Sequence, residues 1–362
     1  MKILHYVDEN NLAWGETWIQ LLKKLSDLGI KNNVVCRGGG TLAERLREEN
    51  IPFDTCKPYV QSLPLTNMVL GNIIDRTSPD AIHTRLSSAA RIGGWWGKVR
   101  GIPVIQTIDK YAKYKYYKNG TFYFACSRSV AEYLTAQGIS ETKIAVVHNP
   151  IDVTKYALAE NTRSEMRRAN SVPDNCNVIL SAGRFVDWKG FDILIKGYAR
   201  FLCGEKGLAL DTVLWIVGDG EERARLFELV KVNGLENKVK IFPFAKDIRP
   251  YMQAADLFVL PSKEPEPFGI VLLEAMASSL PVIATKAGGP LDMLKDGKNG
   301  WFVEAGDEFS ISQRLTEVLS NKEALIVVAH NAQMRAHDFS VESIGCQTIE
   351  LYRNVIRSNK YK

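Results

Sequence analysis

A chain of 362 residues exceeds what one hydrophobic core ordinarily serves and calls for two domains of similar size. Apolar residues at 46% and charged residues at 24% are globular proportions that exclude a disordered chain. The net charge of +5 is too mild to identify a partner, permitting attraction to anionic substrates or an anionic membrane without showing either.

The six cysteines form no CxxC pair and no metal-like spacing with the five histidines, the pattern of reduced thiols in a cytoplasmic protein. No apolar run approaches the ~20 residues that span a bilayer. Residues 2–7 predict a first strand, with too brief an apolar core for a signal peptide. After a turn carrying Gly15, residues 16–27 have helical periodicity, 33–36 read as a second strand, and Gly38-Gly39-Gly40 turns into a helix over 41–49. Short apolar runs near 81–84, 104–107, 122–126 and 144–147, bounded by Gly, Pro and Asn, predict a doubly wound parallel sheet. Right-handed crossovers then bring the loops that follow the strands to one edge.

Within that half, residues 110–118 (KYAKYKYYK) interleave four lysines with four tyrosines. This suits phosphate attraction with aromatic insertion at a bilayer interface or stacking on a sugar. The same pattern serves single-stranded nucleic acid or a solvated loop, and composition alone leaves these open. Asn149 and Asp152 are turn formers that close the first domain, and the polar stretch 155–177 reads as a linker.

The second half begins with a strand at 178–182, a loop bearing Arg184 and Lys189, and a helix over 191–201. A strand at 212–217 enters the turn Gly218-Asp219-Gly220-Glu221, and a strand at 239–242 precedes Phe244-Ala245. Next come a strand at 256–260, a Pro- and Glu-rich turn, a helix over 268–278 and a strand at 281–285. Such a unit puts its turn at the carboxyl edge of a sheet, where open α/β sheets bind ligands. Strand 300–303 and helices at 307–320, 322–337 and about 341–356 complete the chain.

Glu266 and Glu274 lie on the order of 12 Å apart along that helix, from its rise per residue. A glycosidase pair needs roughly 5 to 9.5 Å. The spacing suits a ligand with hydroxyls at both ends and an anionic middle, the middle meeting the amides of Phe268, Gly269 and Ile270 at the helix start. A surface helix with acids near its N-terminus accounts for the same residues without chemistry. Arg184 and Lys189 supply two cations for that anionic middle.

Glu266-Pro267-Phe268-Gly269 through Glu274-Ala275 resembles the Glu-x(7)-Glu signature of retaining glycosyltransferases of GT-B architecture, the family 4-like glycosyl transferases group 1. Gly183-Arg184 through Lys189-Gly190 is similar to that family's Gly-Arg-x(4)-Lys-Gly motif, and Gly218-Asp219-Gly220 to its Val-Gly-x-Gly segment. Residues 148–152 resemble its Pro-Asn-Gly-Val-Asp crossing, with His148 and Pro150 as variants. The resemblance spans nearly the whole chain, but its specific motifs lie almost entirely in the second half.

The fold it implies is α/β: two Rossmann-like doubly wound parallel-sheet domains facing a cleft. Residues 1–154 would form the acceptor-side domain, with the C-terminal helix at about 341–362 packed back on it. Residues 155–340 would form the linker and the nucleotide-sugar domain. By the same resemblance Glu274 holds the ribose, Glu266 the sugar hydroxyls, and Arg184 with Lys189 the diphosphate. Gly15 and Gly218 lie beside the donor, and Phe244 and Ala245 contact the base through the backbone. A UDP-sugar is the expected donor. No Asp-x-Asp triplet and no ligand-spaced His/Asp cluster occurs, so neither metal nor cofactor is expected.

The first half departs from the family. Trp14-Gly15 stands where two glycines are usual, so only Gly15 carries over, and Trp14 would narrow the site or contact the acceptor. At the end of strand 81–84 a His-x-His pair is replaced by His83 and Arg85, and an arginine relays no proton near neutral pH. His83 reads as a satisfied structural histidine. Asp109 falls where relatives carry a histidine, as an acceptor-side base or a turn cap. Arg85, Lys110, Tyr111 and Lys113 complete the acceptor-side set.

The implied activity is hexosyl transfer, retaining and metal-independent, from a nucleotide sugar to a saccharide or lipid-linked acceptor of the lipopolysaccharide or cell-surface type. The enzyme would be cytoplasmic and peripheral on the inner face of the cell membrane, with no nucleic-acid partner. Two alternatives stand beside it: a nucleotide-sugar epimerase or hydrolase on the same fold, and a non-catalytic protein that binds sugar nucleotides or a membrane surface.

Overall fold

Continuous apolar runs become strands buried on both faces, as parallel sheets covered by helices require. The computed structural model describes residues 1–11, 15–58, 67–157 and 161–360, which fall into two units. Met1–Asp152 with the segment from Phe339 onward forms one, and Val153–Asp338 the other.

In the first unit, β1 (Lys2–Val7), α1 (Gly15–Asp27), β2 (Lys31–Cys36), α2 (Gly40–Glu48) and β3 (Phe53–Thr55) are followed by α3 (Met68–Thr77) and β4 (Ala81–Arg85). Then come α4 (Ser87–Arg100), β5 (Val104–Ile108), β6 (Phe122–Ala125), α5 (Arg128–Ala136) and β7 (Ile144–Val146). The strands form a parallel sheet in the order β3-β2-β1-β4-β5-β6-β7. Every residue of β4 and β5 is buried. Consecutive side chains of β1 serve opposite faces: Ile3 joins Leu21 and Phe124, while Leu4 joins Leu70, Ile92 and Trp96.

The second unit opens with α6 (Thr162–Ala169), inside the stretch read as a linker. This short polar helix is fastened through its arginines. Buried Arg167 donates to Asp256 Oδ2 at 2.5 Å and to the Ala254 carbonyl at 3.0 Å, and Arg163 donates to Asp256 Oδ1 at 2.5 Å. The order continues β8 (Asn177–Ala182), α7 (Phe191–Leu202), α8 (Glu205–Ala209), β9 (Thr212–Val217), α9 (Arg223–Val232), β10 (Val239–Phe242) and α10 (Arg249–Ala254). After these come β11 (Leu257–Leu260), α11 (Ile270–Ala277), β12 (Val282–Thr285), α12 (Pro290–Met293), β13 (Trp301–Val303), α13 (Glu308–Leu319) and α14 (Lys322–Ala336). Its parallel sheet runs β10-β9-β8-β11-β12-β13, so the order reverses between β8 and β11. The crevice outside the carboxyl ends of two such strands is where these sheets take ligands.

The last helix, α15 (Val341–Lys360), belongs to the first unit, where Tyr352 packs with Ile3, Leu21 and Phe124.

Candidate active site

Two loops flank the reversal in the second sheet: residues 183–190 after β8 and 261–269 after β11. Their strands pair in parallel, Leu257 beside Ile179, which brings the loops together. The Lys263 amide donates to the Trp188 carbonyl at 2.8 Å. Gly190 has φ +70, and a Cβ there would lie 2.0 Å from the Pro261 carbonyl oxygen, so only glycine allows the approach. The Lys263 ammonium then bonds Asp187 at 2.8 Å and buried Asp192 at 3.0 Å, tying the second loop to the first and to the start of α7.

This latch sets Lys189 against Glu266. The ammonium lies 2.5 Å from Glu266 Oε1, which also accepts from the Ser262 hydroxyl at 2.7 Å. Glu266 is buried, and Lys189 rests 4.5 Å over the Trp188 ring. Behind them the Gly289 amide donates to the Glu266 carbonyl at 2.7 Å. Arg184 is exposed and pairs with no described residue. The helix expected from 268 begins at Ile270, because Gly269 takes a left-handed conformation at φ +96 and buried Phe268 belongs to the turn. The first amides of α11 lack acceptors within the helix, which suits an anion.

Glu274, half-buried on α11, accepts from the Tyr156 hydroxyl at 2.7 Å. Burial pushes its carboxyl up to about 7, Asp247 adds to the rise, and the bond from Tyr156 opposes it. Phe244, after β10, is 72% exposed, with Ala245 half-buried beside it. The Gly218 amide, after β9, is taken by the Phe242 carbonyl at 3.2 Å. One unit thus carries Arg184, Lys189, Gly218, Phe244, Ala245, Glu266, Phe268, Gly269, Ile270 and Glu274.

In the first unit, Gly15 is the buried first residue of α1, and Trp14 lies outside the described residues. Buried Arg85 ends β4 and donates to Asp109 Oδ2 at 3.1 Å. His83 is a bonded core residue: Nδ1 meets the Tyr352 hydroxyl at 2.5 Å and Nε2 the Thr107 hydroxyl at 2.6 Å. In the 110–118 loop, Tyr117 is buried and bonds Ser87 at 3.2 Å, while Tyr111 bonds Ser129 at 3.0 Å and packs edge-on against Tyr133. Lys110, Lys113, Lys115 and Lys118 are all exposed. Tyr111, Tyr114 and Tyr116 are half-buried, so lysines and tyrosines both reach the surface of the loop.

Sequence reasoning missed Ser262, Lys263, Asp187 and Tyr156. The first three sit within a few residues of Glu266 and Lys189, so their loops were the available signal. Tyr156 is 118 residues from its partner and had none.

Two doubly wound parallel sheets, one with a cation–carboxylate pair at its point of reversal, are the architecture of a GT-B glycosyltransferase. Residues 162–335 match the glycosyl transferases group 1 and residues 15–155 match Glycosyltransferase Family 4, so the chain is a glycosyltransferase of the GT-B type. It is therefore an enzyme that transfers sugar. It is 26% identical over 328 residues to the lipopolysaccharide core biosynthesis glycosyltransferase LpsE of Rhizobium meliloti strain 1021, with 89% of each chain covered. Anabaena HepE, crystallised with UDP and glucose, superposes with a TM-score of 0.84 at 24% identity, over 98% of this chain and 100% of that one. The lipopolysaccharide outer core galactosyltransferase WaaB gives 0.76 at 20% identity, over 99% of both chains. Among the described residues no helix is long and apolar enough to cross a membrane.

Proposed function

We propose that this glycosyltransferase moves a hexosyl group from a UDP-sugar to a hydroxyl of a saccharide or lipid-linked acceptor of lipopolysaccharide type, with retention at the anomeric carbon and without a metal. The carrying observation is the Lys189–Glu266 pair at the sheet reversal: a carboxylate for sugar hydroxyls adjoins an ammonium for the diphosphate. Arg184 and the start of α11 add donors for the phosphates, and Glu274 takes the ribose. The bond from C1 to the β-phosphate oxygen breaks as the acceptor oxygen bonds C1 on the same face. The acceptor's proton passes to the leaving phosphate, so no protein base is needed and Asp109 serves acceptor hydroxyls. Lys189 and Arg184 stabilise the charge that collects on the departing diphosphate. The UDP donor is supported by the UDP in the HepE structure, and the acceptor class by the names of LpsE and WaaB. The exposed lysines of the 110–118 loop favour an anionic membrane surface, where the enzyme would sit peripherally.

The test is incubation with a panel of UDP-, GDP- and ADP-sugars, with and without truncated lipopolysaccharide acceptors, followed by product analysis. Release of UDP only with acceptor, and an unchanged anomeric configuration in the product by NMR, are expected. Donor consumed without acceptor would instead identify a hydrolase or epimerase, and binding without release a non-catalytic protein.

A further inference from the structure

Tyr156 follows the point where the chain enters the second unit, and its mount is unusually complete. The carbonyls on both sides of it are held by α10: Arg249 donates to the Lys155 carbonyl at 3.2 Å, and Gln253 to the Ala157 carbonyl at 3.1 Å. Arg249 is in turn clamped to Asp247 through two bonds, at 2.7 and 2.8 Å. Asp247 lies in the loop that carries Phe244 and Ala245. The loop expected to meet the base and the residue that meets Glu274 are therefore built on one short helix.

The phenol's bond has a direction. Burial, reinforced by the Glu274 charge, pushes the Tyr156 hydroxyl above its ordinary range, so it remains protonated and donates. Glu274 Oε1 accepts that proton at 2.7 Å, and no described residue donates to Oε2. A carboxylate fixed at one oxygen presents the other in one orientation, whereas a free carboxylate on a helix rotates about its last bond.

We infer that Tyr156 is the positioning residue of the nucleoside subsite, holding Glu274 by Oε1 so that Oε2 faces the vicinal hydroxyls of a ribose. This rests on the assignment of Glu274 to ribose made above. Tyr156 touches no reacting atom, so its effect falls on donor binding and not on the transfer step.

The test is calorimetry with UDP and 2′,3′-dideoxy-UDP on the full chain, on Tyr156→Phe and on Glu274→Gln, with melting temperatures recorded. Tyr156→Phe keeps the ring and is expected to weaken UDP about tenfold or more, the worth of a hydrogen bond to a charged group, while leaving dideoxy-UDP unaffected. It should raise KM for the donor and spare kcat. Wild-type affinity for UDP should fall as pH drops through about 7, with Asp247 and Arg249 as the other charges near the pair. In Tyr156→Phe that fall should move to higher pH, because the lost bond favoured the charged carboxylate. If Tyr156→Phe binds UDP like wild type while Glu274→Gln loses the preference for ribose, the inference fails and the ribose assignment stands. If Glu274→Gln keeps the preference, the assignment fails and takes the inference with it.

Discussion

Lys189 and Glu266, 77 residues apart in sequence, share a 2.5 Å ion pair. Each steadies the other, with the ammonium held over Trp188 and the carboxylate bonded by Ser262, and on the proposed function this would prepare both for the donor. Lys189→Ala is expected to lower kcat more than tenfold, since removing one preorganised donor to a developing anion costs about 2.7 to 4 kcal/mol. It should also lower Tm, because Glu266 is left buried with a hydroxyl in place of a cation. Steady-state kinetics beside a melting curve separates the two effects, and unchanged turnover would reject the role.

The contact that sets this pair can be tested without touching a charge. Gly190→Ala puts a methyl group on the Pro261 carbonyl and a side chain at φ +70, a conformation that costs about 1–2 kcal/mol by itself. The 183–190 and 261–269 loops must then separate. A Tm lower by several degrees and a kcat reduced about as far as in Lys189→Ala are the expected results. Full activity in Gly190→Ala would show that the close approach is dispensable.

Both sheets were legible in the sequence because strands buried on two faces are written as unbroken apolar runs. The site loops were legible because Gly183, Arg184, Lys189, Glu266 and Glu274 are local marks that need no partner to be noticed. Helix α6 was not, since a short polar segment has no apolar period and owes its place to Arg167 and a distant Asp256. β3 spans three residues, too few for a pattern. The packing of the 110–118 loop was not legible, because lysine and tyrosine interleave without a regular period and the partners of Tyr117 and Tyr111, namely Ser87, Ser129 and Tyr133, lie outside it.

That loop makes its own prediction. Each lysine near an anionic membrane contributes about 1 kcal/mol, so replacing Lys110, Lys113, Lys115 and Lys118 with glutamate should reduce binding to phosphatidylglycerol vesicles by on the order of 10²-fold or more. The tyrosines stay in place, and the melting temperature should hardly change. Cosedimentation at low and high salt checks this: unchanged binding in the variant would take the lysines out of the proposal, and no binding by the unaltered protein would remove the membrane from it.

The last prediction concerns pH and the first unit alone. His5 bonds Asn32 at 2.9 Å, and its ring lies 5.5 Å from that of His83. Burial lowers His5 from the ordinary 6.5 to about 4 and takes His83 well below its ordinary value, each also repelled by Arg85. Between about pH 4 and 6.5 the unfolded chain therefore binds more protons than the folded one, so stability rises with pH across that window. The contribution is complete above 6.5 and is lost as the pH falls. For His5 the loss approaches about 3 kcal/mol near pH 4, from 1.36 kcal/mol per pH unit. His5→Gln keeps a side-chain N–H for Asn32 but no titrating group, and its Tm should vary less steeply than wild type between pH 5 and 6.5. Equal slopes for the two proteins would mean that His5 binds its proton as readily in the folded chain as in the unfolded one, against the burial that defines its surroundings.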